Sequence, residues 1–184
     1  MRHAFHALAA ALLSTGAAHA APQVQISPAA ATLLPGEVVE VTITGTGTGF
    51  DMTTFGGGLS LQWNPDVLDL DMDSVVVDGA TWETARNGGL LDAASGTLSD
   101  MYFASFTGRS GTLAIATLRF VADNPGSTAL TMSGSADFPF ADEIDVMAVS
   151  FTGADITVTA VPEPSAALLL LGGLAGLAWR RRAG

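Results

Sequence analysis

Through most of the middle of the chain, apolar and polar residues alternate with a period of two. Val39, Val41 and Ile43 fall on one side of a stretch whose other side carries Val38, Glu40, Thr42 and Thr44. Leu59, Leu61 and Trp63 repeat the pattern, as do Leu68, Leu70 and Met72, opposite Asp69, Asp71 and Asp73. Successive side chains of a strand point to opposite faces, so this alternation predicts strands with one face in a core. Residues 113–120 are apolar on both faces, as in a central strand or at a bulge. Nine such runs are predicted, over residues 24–27, 38–44, 59–63, 67–77, 98–106, 113–121, 129–133, 147–151 and 156–161. Turn-forming groups such as Pro35-Gly36, Asn64-Pro65-Asp66, Asn87-Gly88-Gly89 and Asn124-Pro125-Gly126 separate them. Short strands at this spacing predict an all-β sandwich over residues 21–160, and only the termini have another character. A domain of this size buries roughly two thirds of its unfolded surface, enough to do without the disulfides that a cysteine-free chain cannot form.

The two ends read as addresses. Residues 1–20 combine a short basic start (Arg2, with His3 and His6), an apolar run over 7–13, and the small-x-small triplet Ala18-His19-Ala20. This is the pattern of a signal peptide cut by signal peptidase after Ala20. The apolar run is too short for a bilayer core of roughly 30 Å, which takes about 20 residues. At the other end, Pro162 and Pro164 stop any preceding strand, an apolar stretch occupies 166–179, and Arg180, Arg181 and Arg182 follow. Trp179 suits a membrane interface, and an arginine cluster tends to stay cytoplasmic. The middle domain then lies on the outer side of the inner membrane, which is also where the signal peptide would send it.

Charge divides the chain as sharply as hydropathy does. Seventeen of the eighteen acids lie between Glu37 and Asp155, against three arginines (Arg86, Arg109 and Arg119) and no lysine, a formal charge of −14 for that stretch. Such a body repels nucleic acid. All three histidines (His3, His6 and His19) leave with the signal peptide. The mature chain therefore lacks Ser-His and Cys-His nucleophile pairs, Schiff-base lysines and His or Cys zinc ligands. Carboxylates remain. Asp69, Asp71 and Asp73 on one strand face are spaced about 7 Å apart, too far for one ion. The loop acids Asp142, Glu143 and Asp145 are the better calcium candidates, set against an ordinary solvated acidic surface. Of the aromatic residues, Trp63 alternates in phase with core leucines. Trp82 follows a turn-like Gly79-Ala80-Thr81 and is the candidate ligand contact, the alternative being packing over a sandwich edge. Tyr102 is open to both readings.

Two family resemblances rest on these residues. The order Pro162-Glu163-Pro164, apolar 166–179 and Arg180-Arg181-Arg182 resembles the PEP-CTERM sorting signal. That resemblance implies a transmembrane helix in residues 161–184 and processing by an exosortase in a Gram-negative bacterium. It further implies delivery to the cell surface or extracellular matrix, in a setting of exopolysaccharide and biofilm. The stretch GGGLSLQWNPDVLDL (56–70), preceded by LPGEVVEVTI (34–43), resembles the cohesin pattern of a strand running into an Asn-Pro-x-Val-Leu corner. Residues 96–106, 111–122 and 126–130 are similar to the family's later strands, in order. This resemblance implies a nine-stranded jelly-roll sandwich, related in fold to carbohydrate-binding modules.

The sequence thus describes three segments: a signal peptide (1–20), a cohesin-like domain (21–160) and a sorting signal (161–184). The expected function is a non-catalytic surface or matrix protein that binds a protein or a polysaccharide. Two alternatives stand beside it, a secreted carbohydrate-active enzyme using a carboxylate pair and a purely structural spacer. N-terminal sequencing of the exported protein should begin at Ala21, leaving a histidine-free chain; an exported form still starting at Met1 would overturn the signal-peptide reading.

Overall fold

The computed structural model describes residues 21–47, 50 and 53–161. The expected signal peptide, with Ala18 and Ala20, lies outside the described residues. So do Pro162, Glu163, Pro164, the apolar stretch 166–179 and Arg180, Arg181 and Arg182.

Among the described residues twelve strands follow one another: β1 (Gln23–Ser27), β2 (Ala30–Leu33), β3 (Val38–Thr46), β4 (Thr54–Gln62), β5 (Leu68–Val77), β6 (Ala85–Asn87), β7 (Leu90–Asp92), β8 (Thr97–Arg109), β9 (Leu113–Ala122), β10 (Gly126–Gly134), β11 (Ser150–Thr152) and β12 (Ala154–Val158). They form two facing sheets. One has the order β11-β1-β3-β9-β5, and the other β2-β12-β10-β4-β8-β6 with β7 also paired to β8. The all-β sandwich expected from the alternation is present. Three strands (β6, β7 and β11) have only three residues, and the other nine have four or more. Short β2, β6 and β7 were not separately legible, because so few residues carry no period.

The alternating positions meet between the sheets. Val39, Val41 and Ile43 of β3, Leu68 and Leu70 of β5 and Ile115, Leu118 and Phe120 of β9 are buried against Leu59 and Leu61 of β4, Leu98, Met101 and Phe103 of β8, Leu130 of β10 and Ile156 and Val158 of β12. The Asn-Pro-Asp corner carries the chain from β4 in one sheet to β5 in the other. Asn64 Oδ1 accepts from the Asp66 N–H at 3.0 Å, and the Asn64 carbonyl accepts from Val67 N–H at 3.1 Å. Trp63 closes this corner, as its phase predicted. Its indole N–H donates to the Leu68 carbonyl at 2.9 Å, and its ring meets Phe120 edge-on, 5.1 Å between centroids.

β4 begins earlier than its apolar run because Gly56, Gly57 and Gly58, which disfavour strands, stand between its first two residues and that run and hide the element. Their lack of side chains has a use. β10 pairs with β4 only as far as Gly134 opposite Leu59. Beyond it, residues 135–141 take over the β4 edge irregularly. Ser135 N–H donates to Gly58 O (2.9 Å), Ala141 N–H to Gly56 O (3.2 Å) and Phe55 N–H to Ala141 O (3.0 Å). A Cβ on Gly57 would stand 2.6 Å from the Phe140 ring, and one on Gly56, at φ 141°, would stand 2.2 Å from the Phe103 carbonyl oxygen. Phe140 therefore sinks into the core between Phe50, Phe103 and Phe151, at centroid distances of 6.2, 5.6 and 6.2 Å.

Trp82 departs from expectation. It is fully buried rather than an exposed contact, 0% of its surface reaching solvent. The Asp78 carboxylate accepts from Thr81 N–H at 2.8 Å and the Asp78 carbonyl from Trp82 N–H at 3.0 Å, a turn that folds the indole inward. There its N–H donates to Ala114 O at 2.8 Å, with Phe103 4.6 Å away. The turn-like Gly-Ala-Thr that made Trp82 look exposed is the cap of a core plug.

Glu83, next in the chain, fastens this turn to β8. One carboxylate oxygen accepts from Arg109 Nη2 at 2.7 Å, and the other accepts from the Ser105 hydroxyl at 2.8 Å. Arg109 Nε donates to the Thr81 carbonyl at 2.9 Å. Hydrogen bonds from Arg109, then Ser105, hold the Glu83 carboxyl down at about 2, from an ordinary 4.5.

Two outcomes follow from this packing. Trp82→Ala should cost about 3–5 kcal/mol in urea denaturation, the range for emptying a large aromatic site; a loss below about 1 kcal/mol would contradict the buried indole. A group with a depressed native pKa stabilises the fold above its unfolded pKa and ceases to as pH falls through the native one. The stability gap between wild type and Glu83→Gln should accordingly be full at neutral pH and close between about pH 4.5 and 2 in thermal unfolding. A gap independent of pH would refute the ion pair.

Candidate functional site

The two outer faces of the sandwich differ in chemistry. On the five-stranded sheet, β3, β9 and β5 bring Glu40, Arg119 and Asp71 side by side in register. Arg119 Nε donates to Glu40 at 3.0 Å, with both side chains half exposed, so solvent screens the pair. Asp69, Asp71 and Asp73 do not continue as an even row. Between Asp71 and Val76 the pairing with β9 slips, Asp71 Oδ1 accepts from Asp73 N–H at 3.2 Å, and the Ser74 hydroxyl donates to the Asp71 carbonyl at 2.6 Å.

The calcium candidates Asp142, Glu143 and Asp145 are not assembled into a site. Asp142 Oδ1 accepts from the N–H groups of Ile144 and Asp145, both at 2.7 Å, so this carboxylate closes its own turn. Those two N–H groups, Asp145 first, hold its pKa below the usual aspartate value. Among the described residues no three acidic side chains converge on a point where an ion could sit. Loop acids three residues apart read alike in sequence whether they face inward to a cation or back to their own backbone.

One hollow of about 280 Å³ lies in the loops, lined by Thr53, Asp142, Glu143 and Ile144, and the seven-stranded sheet carries two more. A groove of about 320 Å³ runs over β4 and β8, lined by Phe55, Gly56, Gly57, Tyr102, Ala104, Asp137, Phe138 and Pro139, among others. Tyr102, Ala104 and Phe106 alternate outward from β8 between buried Met101, Phe103 and Ser105. The Tyr102 and Phe138 rings stack, 4.4 Å between centroids and 26° apart. Phe106 is 84% exposed. Farther along the same sheet a second hollow of about 170 Å³ is lined by Ser60, Gln62, Thr97, Thr131, Met132 and Ser133. Across both hollows Asp137 is the one charged lining residue. In a domain of charge −14, a face whose hollows hold one carboxylate and whose aromatics Phe55, Tyr102, Phe106 and Phe138 are all exposed or half exposed stands out.

Trp82, the candidate contact of the sequence, faces the core and cannot touch a ligand. The sequence left Tyr102 open and did not single out Phe55, Phe106 or Phe138. The period of β8 could have found Tyr102 and Phe106, but a pairing shift between Leu59 and Leu61 displaces its phase near Asp100. Phe138 sits in irregular chain, where period is silent.

Known proteins resemble the two parts separately. Residues 160–182 match the PEP-CTERM protein-sorting motif. No curated protein matches the chain. Among solved structures, one chain of a type I cohesin–dockerin complex from Clostridium thermocellum superposes with a TM-score of 0.60 at 10% identity, covering 77% of this chain and 95% of that one. The seventh ScaB type I cohesin from Pseudobacteroides cellulosolvens gives 0.56 at 16% identity, with 78% and 96% covered. A type III cohesin module from the ScaE cell-surface anchoring scaffoldin of Ruminococcus flavefaciens gives 0.55 at 14%, with 76% and 88% covered. At such identities the likeness is one of fold. The chain therefore carries a PEP-CTERM protein-sorting motif, a mark of export, behind a β-sandwich domain of the cohesin fold.

Proposed function

We propose that this is an exported, non-catalytic binding protein, sorted to the cell surface or matrix, whose aromatic face on β4 and β8 docks a protein partner. Signal peptidase and an exosortase would process the two ends, the C-terminal segment holding the chain in the inner membrane until it is cut. The observation that carries the reading is an aromatic face whose hollows hold a single carboxylate, Asp137, on an otherwise strongly acidic domain. Charge is depleted and aromatic anchors are enriched at the desolvated centre of protein interfaces. The cohesin–dockerin complexes among the structural relatives support a protein as occupant. A polysaccharide is the second reading. It is favoured by the stacked Tyr102–Phe138 pair beside a hollow of hydroxyls and amides, since flat aromatic faces with polar neighbours suit sugar rings. Glycoside hydrolysis calls for two carboxylates about 5–10 Å apart across the substrate, and the groove offers Asp137 alone.

The short link between the sandwich and the C-terminal segment supports this reading. β12 ends at Val158, and Thr159 N–H still donates to the Leu33 carbonyl at 2.8 Å. Only Ala160 and Val161 lie between Thr159 and Pro162, a reach of about 11 Å at most. Before processing, the sandwich end holding Leu33 and the Asn64 corner would face the membrane. Tyr102 and Phe138 would face sideways, open to a partner.

The test is capture from the host's extracellular fraction, together with a glycan array, each scored against Tyr102→Ala and Phe138→Ala. Loss of at least about tenfold in affinity is expected for residues at a hot spot. Loss confined to protein ligands supports the first reading, and loss confined to glycans supports the second. Binding that both variants retain, or no specific binding at all, would overturn the proposed face and favour a structural spacer.

A further inference from the structure

Asp100 is the one non-glycine residue with a positive φ, 54°, among the described residues. That conformation costs an L-residue free energy, and short polar side chains that bond locally tolerate it best. It persists only where the surroundings over-determine it, and at Asp100 they do. The residue lies in the stretch where the β4–β8 register slips, between the pairs Leu59–Met101 and Leu61–Leu98. Its N–H donates to the Ser60 hydroxyl at 3.2 Å, and its Oδ1 accepts from the Ser135 hydroxyl at 2.7 Å.

Ser135 passes this constraint on. Its side chain is buried, 6% exposed for the residue, and its Oγ accepts from the N–H groups of Asp137 (3.2 Å) and Phe138 (3.3 Å). Its own N–H is fixed to Gly58 O at 2.9 Å. Phe138, whose Cβ sits where a Cβ on Gly58 would come within 2.8 Å, then has its ring laid on Tyr102. A chain of three bonded residues thus runs from the slipped register in the sheet to the wall of the groove. Without it, residues 135–138 would be an exposed loop free to place Phe138 elsewhere.

Resting on the proposed use of the aromatic face, we propose that Asp100 is a positioning residue for that face: through Ser135 it holds the 135–138 turn so that Phe138 stacks on Tyr102 before any partner arrives. Such preorganisation lowers the ordering cost of binding. The slip in β8 exists, on this account, to aim the Asp100 carboxylate at Ser135 rather than at solvent.

Tyr102 is the chain's single tyrosine, so full-length protein made with 3-fluorotyrosine reports on this ring alone. Phe138→Ala should displace the fluorine signal by removing the stacked ring. Asp100→Gly, which relieves φ but deletes the acceptor, and Ser135→Ala, which leaves residue 100 alone, should displace it in the same direction. Asp100→Asn keeps Oδ1 and tolerates the left-handed conformation, so its signal should overlay that of wild type. Wild-type tryptophan emission certifies the fold of each variant, and Ser135→Ala decides the matter if Asp100→Gly unfolds. Asp100→Gly and Ser135→Ala signals coinciding with wild type while Phe138→Ala moves would overturn the relay, and an unmoved Phe138→Ala signal would overturn the stack itself. A confirmed relay on a face that binds nothing would sink only the proposed function, so the two failures are separable.

Discussion

Residues 135–141 lie against the edge of β4 because Gly56, Gly57 and Gly58 present no side chains to hold them off. That absence of Cβ atoms decides both sides of the sheet. Inward, it lets Phe140 complete an aromatic cluster with Phe50, Phe103 and Phe151. Outward, it leaves Phe138 to roof the groove beside Tyr102. A β10 strand long enough to pair with the whole of β4 would have given a more regular sheet and a flat, featureless face. The fold gives up a few ladder bonds for a shaped surface, and recovers their donors and acceptors through Ser135, Phe55 and Ala141.

The sandwich then separates its charges. Arg119 pairs with Glu40 beside Asp71 on the five-stranded sheet, and Glu83 and Arg109 pair beside β8 near the Trp82 turn. The hollows of the seven-stranded sheet keep a single carboxylate, Asp137. A strongly acidic exterior repels copies of itself and other anionic surfaces, which keeps an exported protein dispersed. A window with so little charge is where a desolvating contact costs least. The sorting motif and the proposed docking face fit together, since a domain carried outside meets the partners such a face would take.

How much of this was legible in the sequence follows from where periodicity exists. Long alternating strands such as β3, and the Trp63 corner after β4, could be read directly, because a half-buried strand must alternate. The glycine start of β4 and the two-sided edge strands could not, since glycine has no hydropathy to alternate and three residues make no period. Trp82 misled because a turn sequence says where the chain reverses, not which way a side chain at its end points. Asp142, Glu143 and Asp145 were left between a cation site and an ordinary acidic surface, because spacing alone does not say which way a loop carboxylate turns. The aromatic face escaped because its members come from β4, the phase-shifted β8 and an irregular segment, and only their meeting in space makes them one surface.

Hydrogen–deuterium exchange of the exported protein, with and without the extracellular fraction of its host, tests the central claim most directly. The account predicts added protection in peptides covering residues 53–60, 101–107 and 135–141, with the acidic sheet carrying Glu40, Asp71 and Arg119 unchanged. Protection confined to that acidic sheet, with the aromatic face exchanging as before, would contradict it.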